Sequence, residues 1–170
     1  KQGQKKEDQT YESKEGAATT LDDVDRRAKL NMRRQRVCFT ALENGLLFLS
    51  QVASCILSPS TNLCVRSSII RDILQKSLPE SRDKTASAVK GKMARLLKDD
   101  KFRIHLVSYV TQAKSDTNLM KKYKGKKCAI HSPEMEQQFR ELHADLWNKF
   151  SSPKHSEDMT IPVSVVDLMD

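Results

Sequence analysis

Aromatic residues are scarce in this chain of 170 residues: they make up 5% of it, with one tryptophan, Trp147. Glycine and proline are also few, five of each. That scarcity excludes a turn-rich β-sandwich and a collagen-like repeat, which need Gly or Pro at frequent bends or at a fixed period. No long apolar run exists either. The most apolar stretch, Gly45-Leu46-Leu47-Phe48-Leu49, is interrupted by Ser50 and Gln51, far short of the ~20 residues that cross a bilayer. Arg33, Arg34 and Arg36 ahead of it mimic a signal peptide, but the stretch is internal and Glu43 and Asn44 stand at its start, which excludes that reading. The chain starts at Lys1 with no leader and is expected to be a piece of something longer.

Four cysteines, Cys38, Cys55, Cys64 and Cys128, contain no C-x-x-C pair. Reduced thiols in a cytosolic or nuclear compartment are the expectation, with Cys38, Cys55 and Cys64 serving as small buried hydrophobes. Catalytic signatures are missing too. There is no G-x-S-x-G, no H-E-x-x-H and no close acid pair on an apolar helix. Gly91-Lys92 is followed by Met93 and lacks the upstream glycine of a P-loop. Cys128 and His131 have ligand-like spacing and His143 stands further on, but a zinc site needs a fourth ligand and none is suitably spaced. The expectation is a binding protein, not an enzyme, with no cofactor, no metal, no small-molecule substrate and no membrane contact.

What the chain has is charge, unevenly placed. The formal net charge is +8, yet residues 82–130 alone carry fourteen Lys or Arg against four Asp or Glu, a net +10. Residues 131–170 carry three against eight, a net −5. A basic middle beside an acidic tail points to a polyanion-facing surface, or to a tail that shields it.

The apolar content is 38%, below the roughly 45–50% of ordinary globular chains, so a core must leave much of the chain outside it. Residues 1–20 are too polar to offset ordering entropy and are expected to be a disordered tail. Residues 21–37 read as a charged linker or helix, acids first and bases later in accord with the helix dipole, with Leu21, Val24 and Leu30 as a thin apolar stripe. Thr40-Ala41-Leu42-Glu43 is a capping box. After it Leu42, Leu46, Leu49, Val52, Ala53, Ile56 and Leu57 recur at helical spacing until Ser58-Pro59-Ser60-Thr61-Asn62 stops the helix. A second helix is predicted over about Cys64 to Lys76, burying Ile69, Ile70, Ile73 and Leu74. Pro79 to Asp83 is a connector, and Thr85 caps a third helix through Lys98 with Val89, Met93, Leu96 and Leu97 inward. A fourth helix, Phe102 to Ala113, points Leu106, Val107 and Val110 inward. Residues 121–127 form a basic connector. Ser132-Pro133-Glu134 starts a last helix whose apolar face is Met135, Phe139, Leu142, Leu146, Trp147 and Phe150. Ile161 to Val166 reads as a strand or a docking segment.

The predicted fold class is therefore all-α: a homeodomain/Myb-like three-helix (helix-turn-helix) core over 38–99, followed by a C-terminal helical extension over 100–170. At 100° per residue the third helix turns Ser87, Gly91, Ala94, Arg95 and Lys98 away from its apolar side, with Lys90 and Lys92 on the flanks. Lys84, Ser87, Lys90, Lys92, Arg95 and Lys98 are the candidate DNA contacts. The lysines would hold phosphates, the small residues would permit close approach, and Arg95 is the sole candidate guanine reader. The rival reading is a solvated basic face. Lys121, Lys122, Lys124, Lys126 and Lys127 form a possible basic arm, nuclear-import signal or solvated loop. Trp147 and Phe150 are core anchors or a partner-docking pair.

Several short runs occur in a fixed order: Val52-Ala53-Ser54-x-x-Leu57, Ile70-Arg71-Asp72-Ile73-Leu74, Glu80-Ser81-Arg82-Asp83-Lys84-Thr85, and Val89 through Lys98. Lys149-Phe150-Ser151-Ser152 and Ile161-Pro162 follow. In this order they resemble the largest, B-block-binding subunits of transcription factor IIIC across roughly residues 38–170. Phe39 stands where Myb-like repeats open with tryptophan, and Lys90-Gly91-Lys92 where a glycine and paired arginines would be expected. The resemblance implies a nuclear general transcription factor of the RNA polymerase III system. Its partners would be double-stranded promoter DNA of tRNA-type genes and the other subunits of the factor. The alternative within the same resemblance is a protein–protein interaction module that touches no DNA.

Overall fold

The capping box predicted at Thr40 is formed. Thr40 Oγ1 accepts from the Glu43 N–H at 3.2 Å, and Glu43 Oε2 accepts from the Thr40 N–H at 2.8 Å. The helix it starts, Ala41–Leu57 in this computed structural model, is the centre of the molecule. The structure describes residues 22–32, 38–59, 62–123, 125 and 128–151. The tail over 1–20, Leu21, the Arg33 to Arg36 run, Lys124, Lys126, Lys127 and the Ile161 to Val166 segment lie outside those residues.

Seven α-helices make up the described chain, and no strand occurs among the described residues. They are α1 (Asp23–Asn31), α2 (Ala41–Leu57), α3 (Ser67–Ser77), α4 (Ala86–Leu96), α5 (Asp100–Ser115), α6 (Thr117–Tyr123) and α7 (Pro133–Phe150). A 3₁₀ turn, Pro79–Asp83, leads into α4. The fold is all-α. Periodicity predicted one apolar face for α2, but every residue from Gly45 to Ser54 is buried. A helix apolar all round is surrounded, and α2 is packed by α3, α5 and α7. One hydrophobic cluster therefore joins the predicted three-helix segment to the C-terminal helices. Two buried hydroxyls of α2 are satisfied locally. Ser50 Oγ donates to the Leu46 carbonyl at 2.9 Å, and Ser54 Oγ accepts from the Cys64 N–H at 2.8 Å, holding the loop after α2.

Local stop and start signals were dependable. Thr85 Oγ1 accepts from the Ala88 N–H, Asp99 Oδ1 from Lys101 and Phe102, and Ser132 Oγ from Met135, capping α4, α5 and α7. Four expectations need correction. The second helix starts at Ser67 rather than Cys64. The basic connector over 121–127 begins inside a helix, since Lys121 to Tyr123 are the end of Thr117–Tyr123. In α5 the core register belongs to Phe102, Tyr109 and Ala113, while Val107 stands 67% exposed. The cause is the ring of Phe48, which packs edge-on against Phe102 at 5.3 Å and Tyr109 at 5.1 Å and turns α5 toward its aromatic side. Finally, Cys38 is exposed and Cys55 half-buried, leaving Cys64 as the buried thiol of the three.

The first helix is held by charge. Leu30, part of its predicted stripe, is 86% exposed, whereas Asp25 and Ala28 are buried. Arg71 of α3, 2% exposed, donates through Nη1 to Asp22 at 2.8 Å and Asp25 at 2.7 Å, and through Nη2 to Asp72 at 2.7 Å. Asp25 Oδ1 also accepts from the Ala86 N–H at 2.9 Å. One carboxylate of α1 thus ties α3 to the first turn of α4. Arg71→Ala leaves Asp25 buried without its cation, and stability in urea is expected to fall by about 3–5 kcal/mol. The Asp25 N–H and the Arg71 guanidinium hold the Asp22 carboxyl below its ordinary value. Its contribution is complete above about pH 4 and is lost as pH falls further. His143 has the opposite chemistry: burial pushes its pKa down, and Nε2 lies 3.1 Å from the Leu46 carbonyl. Below about pH 6.5 the unfolded chain takes up a proton that the fold refuses, so stability falls as pH drops. Urea midpoints at pH 7.5 and 5.5 should differ, and His143→Gln should reduce the difference.

Candidate nucleic-acid interface

α4 lies against α3 and buries Val89 and Met93, with Leu96 partly buried. This fixes which side of a basic helix faces water. Ser87, Lys90, Gly91, Ala94, Arg95 and Lys98 are all exposed. Lys90, Arg95 and Lys98 have no ion-pair partner among the described residues. A Cβ built on Gly91 would meet nothing within 4 Å, so the glycine leaves a shallow, unobstructed strip between the cations.

Lys84 leaves this set. It is 4% exposed, its Nζ lies 2.5 Å from Asp83 and 3.4 Å from Glu43, and it stands over the Phe39 ring at 5.3 Å. Glu43 is fully buried and also accepts from Ser81 Oγ at 2.6 Å. The buried carboxylate needs a cation, and Lys84 supplies it. Spacing along the chain shows none of this, because Glu43 belongs to a different helix. Lys92 is intermediate: its Nζ lies 5.9 Å from the same Phe39 ring, and burial together with the nearby Arg95 charge lowers its pKa. Phe39 thus lies under two ammonium groups.

The basic arm is divided. Lys121 and Lys122 are exposed at the end of α6, but Lys122 Nζ is bound to Asp145 Oδ2 of α7 at 2.9 Å. Tyr123 Oη donates to the same oxygen at 2.6 Å, and burial together with that bond pushes the Tyr123 pKa up to about 12. The Lys122 pair therefore fastens α6 to α7. Of the two readings of Phe150, core anchor or docking residue, its burial accords with the first: it is 4% exposed and its ring lies 4.7 Å from that of Tyr109. Trp147 is half-buried. Cys128 Sγ accepts from Gln138 at 2.9 Å and His143 faces the Leu46 carbonyl. Among the described residues no group of three His, Cys, Asp or Glu converges on a metal position.

Two basic residues near α4 were not anticipated. Arg66 and His131 line an open groove of about 430 Å³ together with Lys90 and Ala94. His131 has φ 63°, and its N–H donates to the Cys64 carbonyl at 3.0 Å. That bond draws the connector before α7 onto the loop before α3. No periodic pattern links positions 66, 90 and 131, so the sequence carries no signal for their proximity.

No protein-family profile matches the chain. Over 149 residues, 86% of its length, it is 28% identical to General transcription factor 3C polypeptide 1 of Mus musculus and likewise of Rattus norvegicus. Identity to the protein of that name from Homo sapiens is 27% over the same length. The chain is similar to a subunit of transcription factor IIIC. It spans 7% of the length of these relatives, and the similarity does not reach to B-block binding.

The two kinds of lysine can be separated by stability alone. Lys84→Met should lower stability by about 3 kcal/mol, because Glu43 is left buried without a cation. Lys98→Ala should change it by less than about 0.5 kcal/mol. Thermal or urea unfolding of both variants at neutral pH provides the check.

Proposed function

We propose that the chain is a DNA-binding module of a general transcription factor for RNA polymerase III, of the transcription factor IIIC kind. It helps recognise internal promoters of tRNA-type genes and works in the nucleus beside the factor's other subunits. The observation that carries the reading is the outward face of α4 and the turn after it, where Lys90, Arg95 and Lys98 are exposed and unpaired among the described residues. In this reading α2, α3 and α4 form a homeodomain/Myb-like core with α4 as its DNA-facing helix. The packing of α4 on α3 supports it, since the opposite side is left to solvent.

The mechanism is binding without chemistry. Lys90 and Lys98 neutralise phosphates and release condensed counterions, while Lys92, half-covered by Phe39, contributes from the flank. Ser87, Gly91 and Ala94 let the helix approach closely, and Arg95 is placed to reach a guanine edge. Most of the affinity is therefore indifferent to sequence. A protein-contact role within the same factor is the second reading. Ile104 and Val107, one turn apart on α5, are 68% and 67% exposed and favour it.

Duplex-DNA affinity measured across a salt series decides between them. Each phosphate contact removed by Lys90→Glu or Lys98→Glu should lower the salt slope by about 0.9, and Arg95→Glu should weaken binding further. Gly91→Ala is a sharper probe. It should stabilise the fold by about 0.5–1 kcal/mol and still weaken DNA binding, because its methyl stands on the approached surface. Negligible duplex affinity at low salt, or a slope unchanged in every variant, transfers the function to protein contact.

A further inference from the structure

Between α3 and α7 runs an open groove of about 420 Å³. Leu46, Ile73, Leu78 and Trp147 form its apolar surface, Lys76 and Arg140 stand at its edge, and among the described residues no carboxylate lines it. Lys76 is exposed. The nearest carboxylate to Arg140 is Asp72 of α3, at 3.9 Å. Half-buried Trp147 at the edge of a groove with a basic rim calls for an apolar occupant bearing negative charge.

The chain carries such a segment next to the groove. Trp147 and Asn148, on the last turn of α7, line it, and the chain leaves α7 at Ser151. Beyond Lys154 come Glu157, Asp158, Asp167 and Asp170, with no Lys or Arg among them. Between these acids Ile161, Val163 and Val165 alternate with Pro162 and Ser164. Ile161, Val163 and Val165 recur at every second position, the spacing that shares one side of an extended segment, and a proline in the run is compatible with such a segment and not with a helix interior. Ten residues separate Ser151 from Ile161, enough to cover about 33–36 Å. The groove opens within a turn of Ser151, so the reach is ample.

We propose that the acidic, apolar segment 157–170 occupies the α3–α7 groove of its own chain, placing Ile161, Val163 and Val165 against Trp147 and its carboxylates against Lys76 and Arg140. An outside partner reaches Trp147 only by displacing the segment. The proposal is independent of DNA binding, since α4 does not line this groove.

Trp147 is the sole tryptophan, so its fluorescence reads the groove directly. In the full chain, the double variant Ile161→Asp, Val163→Asp should shift the emission to the red and raise the acrylamide quenching constant about twofold, with unchanged helical circular dichroism. Lys76→Glu, Arg140→Glu should do the same without touching the tail. Adding a peptide of residues 153–170 to the tail variant should restore the shielded spectrum. Emission and quenching identical between the parent chain and both double variants overturn the proposal. So does shielding that grows with protein concentration alongside a dimer in sedimentation, which would give the groove to a second copy.

Discussion

Arg71 surrenders almost all of its hydration in the fold, and the cost of burying a guanidinium is several kcal/mol unless anions and good geometry offset it. Asp22, Asp25 and Asp72 do so together. The consequence extends beyond the ion pairs. Asp25 reaches Arg71 because α1 packs on the 3₁₀ turn that follows α3, and the same Oδ1 atom receives the first N–H of α4. Glu43 makes a second tie from the other side, through Ser81 and Lys84, the residues that lead into α4. The entry of α4 is therefore fixed by two buried carboxylates from α1 and α2, so its outward face is set relative to the whole body.

That arrangement sorts the basic residues of the middle of the chain into two groups. Lys84 is consumed by the buried Glu43 and Lys122 is bound to Asp145, whereas Arg103 and Asp100 form an exposed pair within one turn of α5. Lys149, further on, binds Asp116 at 2.7 Å. Lys90, Arg95 and Lys98 retain their charge for an outside partner. A net charge of +10 over residues 82–130 thus overstates what that stretch presents to an anion. Of the cations that remain, Arg82, Lys101, Lys114 and Lys121 are exposed elsewhere, while Lys90, Arg95 and Lys98 share one line of approach, the arrangement in which counterion release is most effective.

How much of this was legible in the sequence follows the range of each interaction. Helix starts at Thr40, Thr85 and Ser132 depend on atoms three residues apart, and the residue types announce them. The outward face of α4 follows from the helical period and needs no knowledge of what packs against it. The register of α5 does not, because two apolar sides compete and Phe48, a residue of another helix, chooses between them. The burial of Lys84 was hidden for the same reason, since its partner Glu43 is 41 residues away. Tyr109, which covers Phe150, is equally distant, so the sequence left core anchor and docking residue both open there. The role of α1 was hidden because charge docks it, while hydrophobic periodicity looked to Leu30, which is 86% exposed.

The same packing constrains what a nucleic-acid reading of α4 can claim. Its solvent side offers three unpaired cations and three small residues, Ser87, Gly91 and Ala94, and no Asn or Gln suited to adenine. On a nucleic-acid reading, a rigidly held face of this composition would grip the sugar–phosphate backbone and leave Arg95 as its one bidentate reader. Discrimination by a single base contact is worth about 1–3 kcal/mol, too little to select one promoter from a genome's competing sites. On that reading sequence choice belongs to surfaces outside α4, and this module contributes affinity and orientation. Its similarity to 7% of a much longer transcription factor subunit is consistent with such a division of labour.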